Sequence, residues 1–178
     1  MRLNLFKRLE DLNEVIGIED LQQSIIPSLS ELSQDKNWRI KLSVVEQFPV
    51  LARQLGESFF NEKLNPICLT WLKDQIFTIR EAALNNFKQL TVVFGHQWAS
   101  RNVIPKIMWQ ASDANYLHRV TPLISMSIMA DVVPGETVKV HFLPVLASLS
   151  KDRVANIRMN VAKSIQAMLP HLKGQSAN

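Results

Sequence analysis

Four histidines and one cysteine have the strongest claim on catalysis or metal binding in this sequence. His96, His118, His141 and His171 are never three or four residues apart, so no helical metal-ligand pair exists. They read as surface or turn histidines. Cys68 has no histidine near it in sequence, and cysteine is among the more buried residue types, so it reads as packing rather than as a nucleophile. As the sole cysteine it makes no internal disulfide, which fits a reducing compartment. No G-x-x-x-x-G-K-S/T, H-E-x-x-H or G-x-S-x-G motif occurs. What does recur is a carboxylate followed six positions later by a cation: Asp35 and Lys41, Asp74 and Arg80, Asp113 and Arg119, Asp152 and Arg158. Catalysis has no use for one residue repeated four times. Stacked units would instead set each aspartate beside the cation of a neighbour, a ladder of charge-assisted contacts. An exposed rung is worth about 1 kcal/mol or less, so the ladder sets register more than stability.

The elements that must position these residues follow from the same spacing. Each aspartate and each cation recurs every 39 residues, and so do Pro27, Pro66, Pro105 and Pro144. A period near 40 is that of two-helix solenoid repeats. The stretch before each aspartate reads as helix A, with Ile25, Leu29 and Leu32 on one apolar face in the first repeat. The proline lies inside it and predicts a bend. The aspartate ends helix A and is placed to cap helix B. Helix B carries a stripe of Val44, Phe48, Leu51 and Leu55, then Ala83, Phe87, Leu90 and Phe94, and in the fourth repeat Val161, Ile165, Met168 and Leu172. Pro122 interrupts this pattern in the third repeat and predicts a kinked or late-starting helix. Gly56, Gly95, Gly135 and Gly174 close the repeats as left-handed C-caps. Trp71, Trp98 and Trp109 fall on helix A and are expected to pack in the core or between repeats.

The expected organisation is an all-α, right-handed solenoid. Residues 1–17 form the second helix of a truncated repeat. Four repeats follow at 18–56, 57–95, 96–135 and 136–174, then a tail at 175–178. No capping unit is visible at either end, which predicts a fragment of a longer solenoid or a truncated product. The apolar share of 47% is enough for a continuous core, and no apolar run reaches the length of a membrane span. The formal charge of +4 is spread along the chain, which gives nucleic-acid binding little support.

The proline in helix A, the aspartate at the A–B turn and the arginine in helix B are the pattern of HEAT repeats. The uninterrupted 39-residue length resembles in particular the scaffolding A subunits of protein phosphatase 2A. Leu12-Asn13-Glu14-Val15-Ile16-Gly17-Ile18, Trp38-Arg39, Phe59-Phe60-Asn61-Glu62-Lys63-Leu64-Asn65, Ile79-Arg80-Glu81-Ala82-Ala83, Asn115-Tyr116-Leu117-His118-Arg119 and Val154-Ala155-Asn156-Ile157-Arg158 look like the C-terminal repeats of that family. The resemblance implies a non-catalytic scaffold without cofactor, metal or small-molecule substrate, set in the cytoplasm with the nucleus as a second location. The A–B turns of its C-terminal repeats would hold a phosphatase catalytic subunit. A B-type regulatory subunit would bind the full-length parent. On that reading the contact residues are Trp38 and Arg39, Ile76 and Phe77, Asn115, Tyr116 and His118, and Val154 and Asn156, where the turns differ most between repeats. Tryptophan and arginine are common interface anchors. The alternatives are that these side chains fold back as ordinary packing, or that the solenoid is a transport-receptor or nucleic-acid-associated adaptor.

Overall fold

The computed structural model describes residues 27–173, with side chains to Pro170. The expected leading helix at 1–17, Ile25 and Gly174 lie outside that range, and the Leu172 side chain lies beyond the described side chains. Among the described residues every regular element is helical: α1 (27–33), α2 (Trp38–Val45), α3 (Phe48–Phe59), α4 (Asn65–Trp71), α5 (Phe77–Phe94), α6 (His96–Asn102), α7 (Ile104–Met108), α8 (Tyr116–Met129), α9 (Gly135–Thr137), α10 (Leu143–Leu149) and α11 (Ala155–Lys173). This is an α-solenoid of HEAT type. The chain divides into two compact units, with the boundary between Asn86 and Phe87 inside α5.

Pro66, Pro105 and Pro144 do interrupt helix A, and the form of the interruption follows from their chemistry. Proline lacks an N–H and its ring crowds the carbonyl four residues back. Pro66 and Pro144 each stand second in a short helix that follows a wide π-turn, Phe60–Leu64 and Val138–Phe142. There the Asn65 and Leu143 N–H groups reach back five residues, to the Phe60 and Val138 carbonyls. Pro105 follows a sharper break, with Val103 at φ −124° and ψ −57°. Pro122 behaves otherwise. Helix α8 runs through it and starts at Tyr116, in register with Trp38, Phe77 and Ala155, so the late start does not occur.

Gly56 and Gly95 turn the chain from one repeat into the next in a single residue. Their φ values are +83° and +90°, but ψ is 169° and 159°. This is the extended positive-φ region open in practice to glycine alone, not the left-handed helical C-cap expected. Gly135 is not a C-cap at all: it opens α9 after Pro134 and has no positive φ.

In the first compact unit, Phe48, Leu51, Phe60, Leu64, Trp71, Leu72, Ile79 and Leu84 are buried. Phe48 and Trp71 meet edge to face at 4.5 Å, and the Trp71 indole N–H donates to the Ser33 carbonyl at 3.2 Å. Helix B of the first repeat is broken between Val45 and Phe48. Pro49 has no N–H to give the Val45 carbonyl, and the Asn86 side-chain amide of the next repeat donates to it instead. In the second unit α8 packs on α11, with Leu123, Met126, Ile157, Val161 and Met168 buried. The Ser164 hydroxyl donates to the Leu123 carbonyl at 2.8 Å.

Candidate functional site: the A–B turns

Each turn is built the same way. The aspartate Oδ1 accepts from the backbone N–H two residues on: Asp35 from Asn37 at 2.7 Å, Asp74 from Ile76 at 2.9 Å, Asp113 from Asn115 at 2.9 Å, Asp152 from Val154 at 2.8 Å. This closes an Asx turn and corrects the expectation that the aspartate caps helix B. The caps are Asn37, which accepts from Arg39 N–H, and Asn115, which accepts from Leu117 N–H, both at 3.1 Å. Ile76 and Val154 occupy the same position without a side-chain acceptor; their carbonyls accept from Arg80 and Arg158 N–H.

The cation then locks the turn. Arg80 Nη1 donates to the Asp74 and Gln75 carbonyls at 2.7 and 3.1 Å. Arg119 Nη1 does so to Asp113 and Ala114 at 2.9 and 3.0 Å, and Arg158 Nη1 to Asp152 and Arg153 at 2.8 and 3.3 Å. Rungs between repeats exist within each compact unit. Lys41 Nζ lies 2.6 Å from Asp74 Oδ2 in the first. In the second, Arg119 Nε and Nη2 donate to Asp152 Oδ2 and Oδ1. The Arg119–Asp152 pair is only 9% exposed on either side, more covered than the surface rung the sequence suggests. Its hydrogen bonds hold the Asp152 carboxyl below the usual carboxylate range and raise Arg119.

Two turns therefore stand side by side in each unit, and their tips carry the side chains expected as contacts. Trp38 is half-buried, with the Arg39 guanidinium 4.6 Å above its ring. Ile76 is exposed, and Phe77 is 47% exposed under the Arg80 guanidinium at 5.5 Å. A half-open cleft of about 440 Å³ lies between these two turns, walled by Trp38, Lys41, Asp74 and Ile76 with Lys36 and Lys73 at its edge. In the second unit Asn115 is engaged as a cap, and Tyr116 is exposed. His118 Nδ1 lies 3.1 Å from Asp113 Oδ2. Val154 is half-buried, and Asn156 accepts from Asn160 at 2.8 and 3.1 Å. Leu117, exposed beside Tyr116, is a tip residue that sequence reasoning misses; its position is polar in the other repeats (Arg39, Thr78, Asn156), which is the available signal.

Of the three helix A tryptophans, Trp71 and Trp98 are buried as expected, but Trp109 is 81% exposed. It stands in the terminal 3-10 turn Trp109–Ser112, where the last turn of helix A tightens and points the ring outward. Cys68 is buried, and burial pushes its thiol well up, against a thiolate role. Among the described residues no group of three or more His, Cys, Asp or Glu could hold a metal, and no helix is long and apolar enough to cross a membrane.

Comparison with known proteins adds to this geometry. The regulatory A subunit of protein phosphatase PP2A from Schizosaccharomyces pombe is 42% identical over 74 residues, 42% of this chain. Its counterpart in Saccharomyces cerevisiae is 41% identical over 80 residues, 43% of this chain. This chain is similar to the A subunits of PP2A. The human "Serine/threonine-protein phosphatase 4 regulatory subunit 1" aligns over 95% of the chain at 23% identity. The chain spans about 12% of the length of the two yeast PP2A relatives and 19% of the phosphatase 4 one. These relatives are named as regulatory subunits. No protein-family model matches. Among solved structures, Cex1p superposes with a TM-score of 0.70 over 97% of this chain and 33% of its own, at 16% identity, a likeness of fold.

Proposed function

We propose that the chain is a non-catalytic scaffold segment that holds the catalytic subunit of a PP2A-type serine/threonine phosphatase on its A–B turns. The observation that carries this reading is the set of apolar and aromatic side chains left exposed on turns already held by their own aspartate. Ile76, Phe77 and Tyr116 are exposed, and Trp38 walls an open cleft. The similarity to phosphatase A subunits supplies the kind of partner. The work done is positional: a frame that holds catalytic and regulatory subunits together raises their effective concentration. The B-type regulatory subunit belongs to the full-length parent in this reading. A one-sign nucleic-acid groove matches the cleft poorly, since Asp35 and Asp74 stand among Lys36, Lys41 and Lys73.

Titration of a PP2A catalytic subunit with the wild-type chain and with Trp38→Ala plus Tyr116→Ala tests this. Hot-spot anchors cost about 2 kcal/mol or more on truncation, so affinity falls about 30-fold or more. Affinity unchanged by the double substitution sinks the turn surface as the site. No binding by the wild-type chain sinks the scaffold reading.

A further inference from the structure

Trp109 is the most exposed large apolar side chain among the described residues, at 81%. The 3-10 turn that ends helix A of the third repeat sets Gln110 inward and Trp109 outward. Outward is the rule at this position. Thr70 and Ser148, its equivalents at the 39-residue spacing, are exposed as well. Val140 is exposed too, and so are its equivalents Glu62 and Arg101. Leu143 and Ile165 are different. Both are exposed, Ile165 against the buried stripe expected of it, yet Asn65 and Ile104 are buried at the first position and Phe48, Phe87 and Met126 at the second. Those two are stacking positions between repeats and belong to no outer face.

Helices A of the third and fourth repeats stand side by side. Helix α7 packs against the Val138–Phe142 turn, and the Ser100 and Thr137 hydroxyls meet at 3.2 Å. Their exposed side is basic. Residues 96–112 and 135–151 hold Arg101, Lys106, Lys139 and Lys151, all exposed, against one carboxylate, Glu136. Among the described residues none of these four cations forms an ion pair. The same stretch of the second repeat is mixed in sign, and there Lys63 pairs with Glu62. Lys106 stands three residues before Trp109, on the same side of the helix. We infer that the outer helix A face of the third and fourth repeats docks an acidic segment of a partner protein, one that sets an apolar side chain on Trp109 between its carboxylates. The unpaired cations complement such a segment, and the indole offers the large apolar area that an anchor needs. A nucleic acid fits less well. A strand held by its phosphates asks for successive aromatic platforms, and the next outer position after Trp109 is Ser148. A membrane fits less well too, since Ser112 and Ser148 at the adjoining outer positions offer no apolar area to insert.

The test is fluorescence anisotropy of a labelled peptide in which a leucine and a phenylalanine stand among glutamates, titrated with the 178-residue chain. We expect saturable binding that weakens about tenfold or more with Trp109→Ala and with Lys106→Glu. Trp109 is exposed, so the melting temperature of Trp109→Ala stays as in wild type. Binding should fail when serines replace the leucine and phenylalanine of the peptide. It should persist in Trp38→Ala plus Tyr116→Ala, which separates this face from the A–B turns. These results together support the proposal. No saturable binding of the peptide overturns it. Binding that follows charge alone, indifferent to Trp109→Ala or to the serine peptide, also overturns it. Binding lost only in the double variant gives the peptide to the turns and overturns it. A uridine oligonucleotide or phosphatidylserine vesicles held through Trp109 where the peptide is not would give the face to nucleic acid or membrane and overturn it too.

Discussion

Arg119 and Asp152, 33 residues apart in sequence, share two hydrogen bonds, Nε to Oδ2 at 2.7 Å and Nη2 to Oδ1 at 3.0 Å. The same guanidinium also ties its own turn through Nη1. One side chain therefore fixes both the shape of a turn and its register against the next repeat. In a double-mutant cycle of Arg119→Ala and Asp152→Ala, read by urea unfolding, the coupling should be about 1–3 kcal/mol, above that of an exposed rung. A coupling near zero would return the pair to the class of idle surface contacts.

The pH dependence follows with a definite sign. Asp152 is held below its ordinary range, chiefly by the hydrogen bonds from Arg119. A group with a depressed folded value contributes stability that is present above its unfolded value, about 4, and is lost as pH falls through the folded one. Arg119 is raised, so its share is present at every pH below its own high range. Unfolding free energy measured from pH 6 to pH 2.5 should therefore fall less steeply for Asp152→Asn than for wild type. Equal slopes would contradict the assignment.

Ile76 and Val154 hold the cap position that Asn37 and Asn115 fill with a side-chain acceptor. Ile76→Asn should stabilise the chain by up to about 1 kcal/mol, and Asn115→Ala should cost about as much. The same Ile76→Asn change should weaken catalytic-subunit binding, so stability and affinity move in opposite directions. Thermal melts and a titration on the same samples decide it.

The Val45 carbonyl depends on Asn86 because Pro49 cannot serve it. Asn86→Ala should cost about 1–3 kcal/mol by leaving a buried acceptor bare. In a Pro49→Ala background the backbone N–H returns and the cost should shrink by half or more. An undiminished cost would mean that the amide matters for packing instead.

Gly95 sits at φ +90° with nothing within 4 Å of where a Cβ would stand. The penalty for Gly95→Ala is therefore one of backbone alone, about 1–3 kcal/mol in chemical unfolding. Gly56→Ala, at φ +83° in equally open space, should behave alike.

Much of this is legible in the sequence, and the limits have physical causes. Spacing alone pairs Asp74 with Lys41 and Asp152 with Arg119, because stacked identical units bring identical positions together. It misreads the aspartate as a helix cap because Asx turns and N-caps draw on the same residue types, and only backbone geometry separates an acceptor for the second following N–H from a cap. Ile165 falls on an apparently buried stripe because periodicity names a face but not whether a neighbour lies against it. Trp109 fits the helical pattern of helix A, yet a tightened final turn rotates it outward. The apolar turn tips are visible as apolar residues among turn signals, but the cleft beside Trp38 needs coordinates.

An aspartate closes every one of these corners, and in three of them an arginine six places later ties the same turn. The exposed side chains at the tips take no part in those bonds. A lineage can rewrite what such an edge recognises, one hairpin at a time, while the frame that presents it stays unaltered.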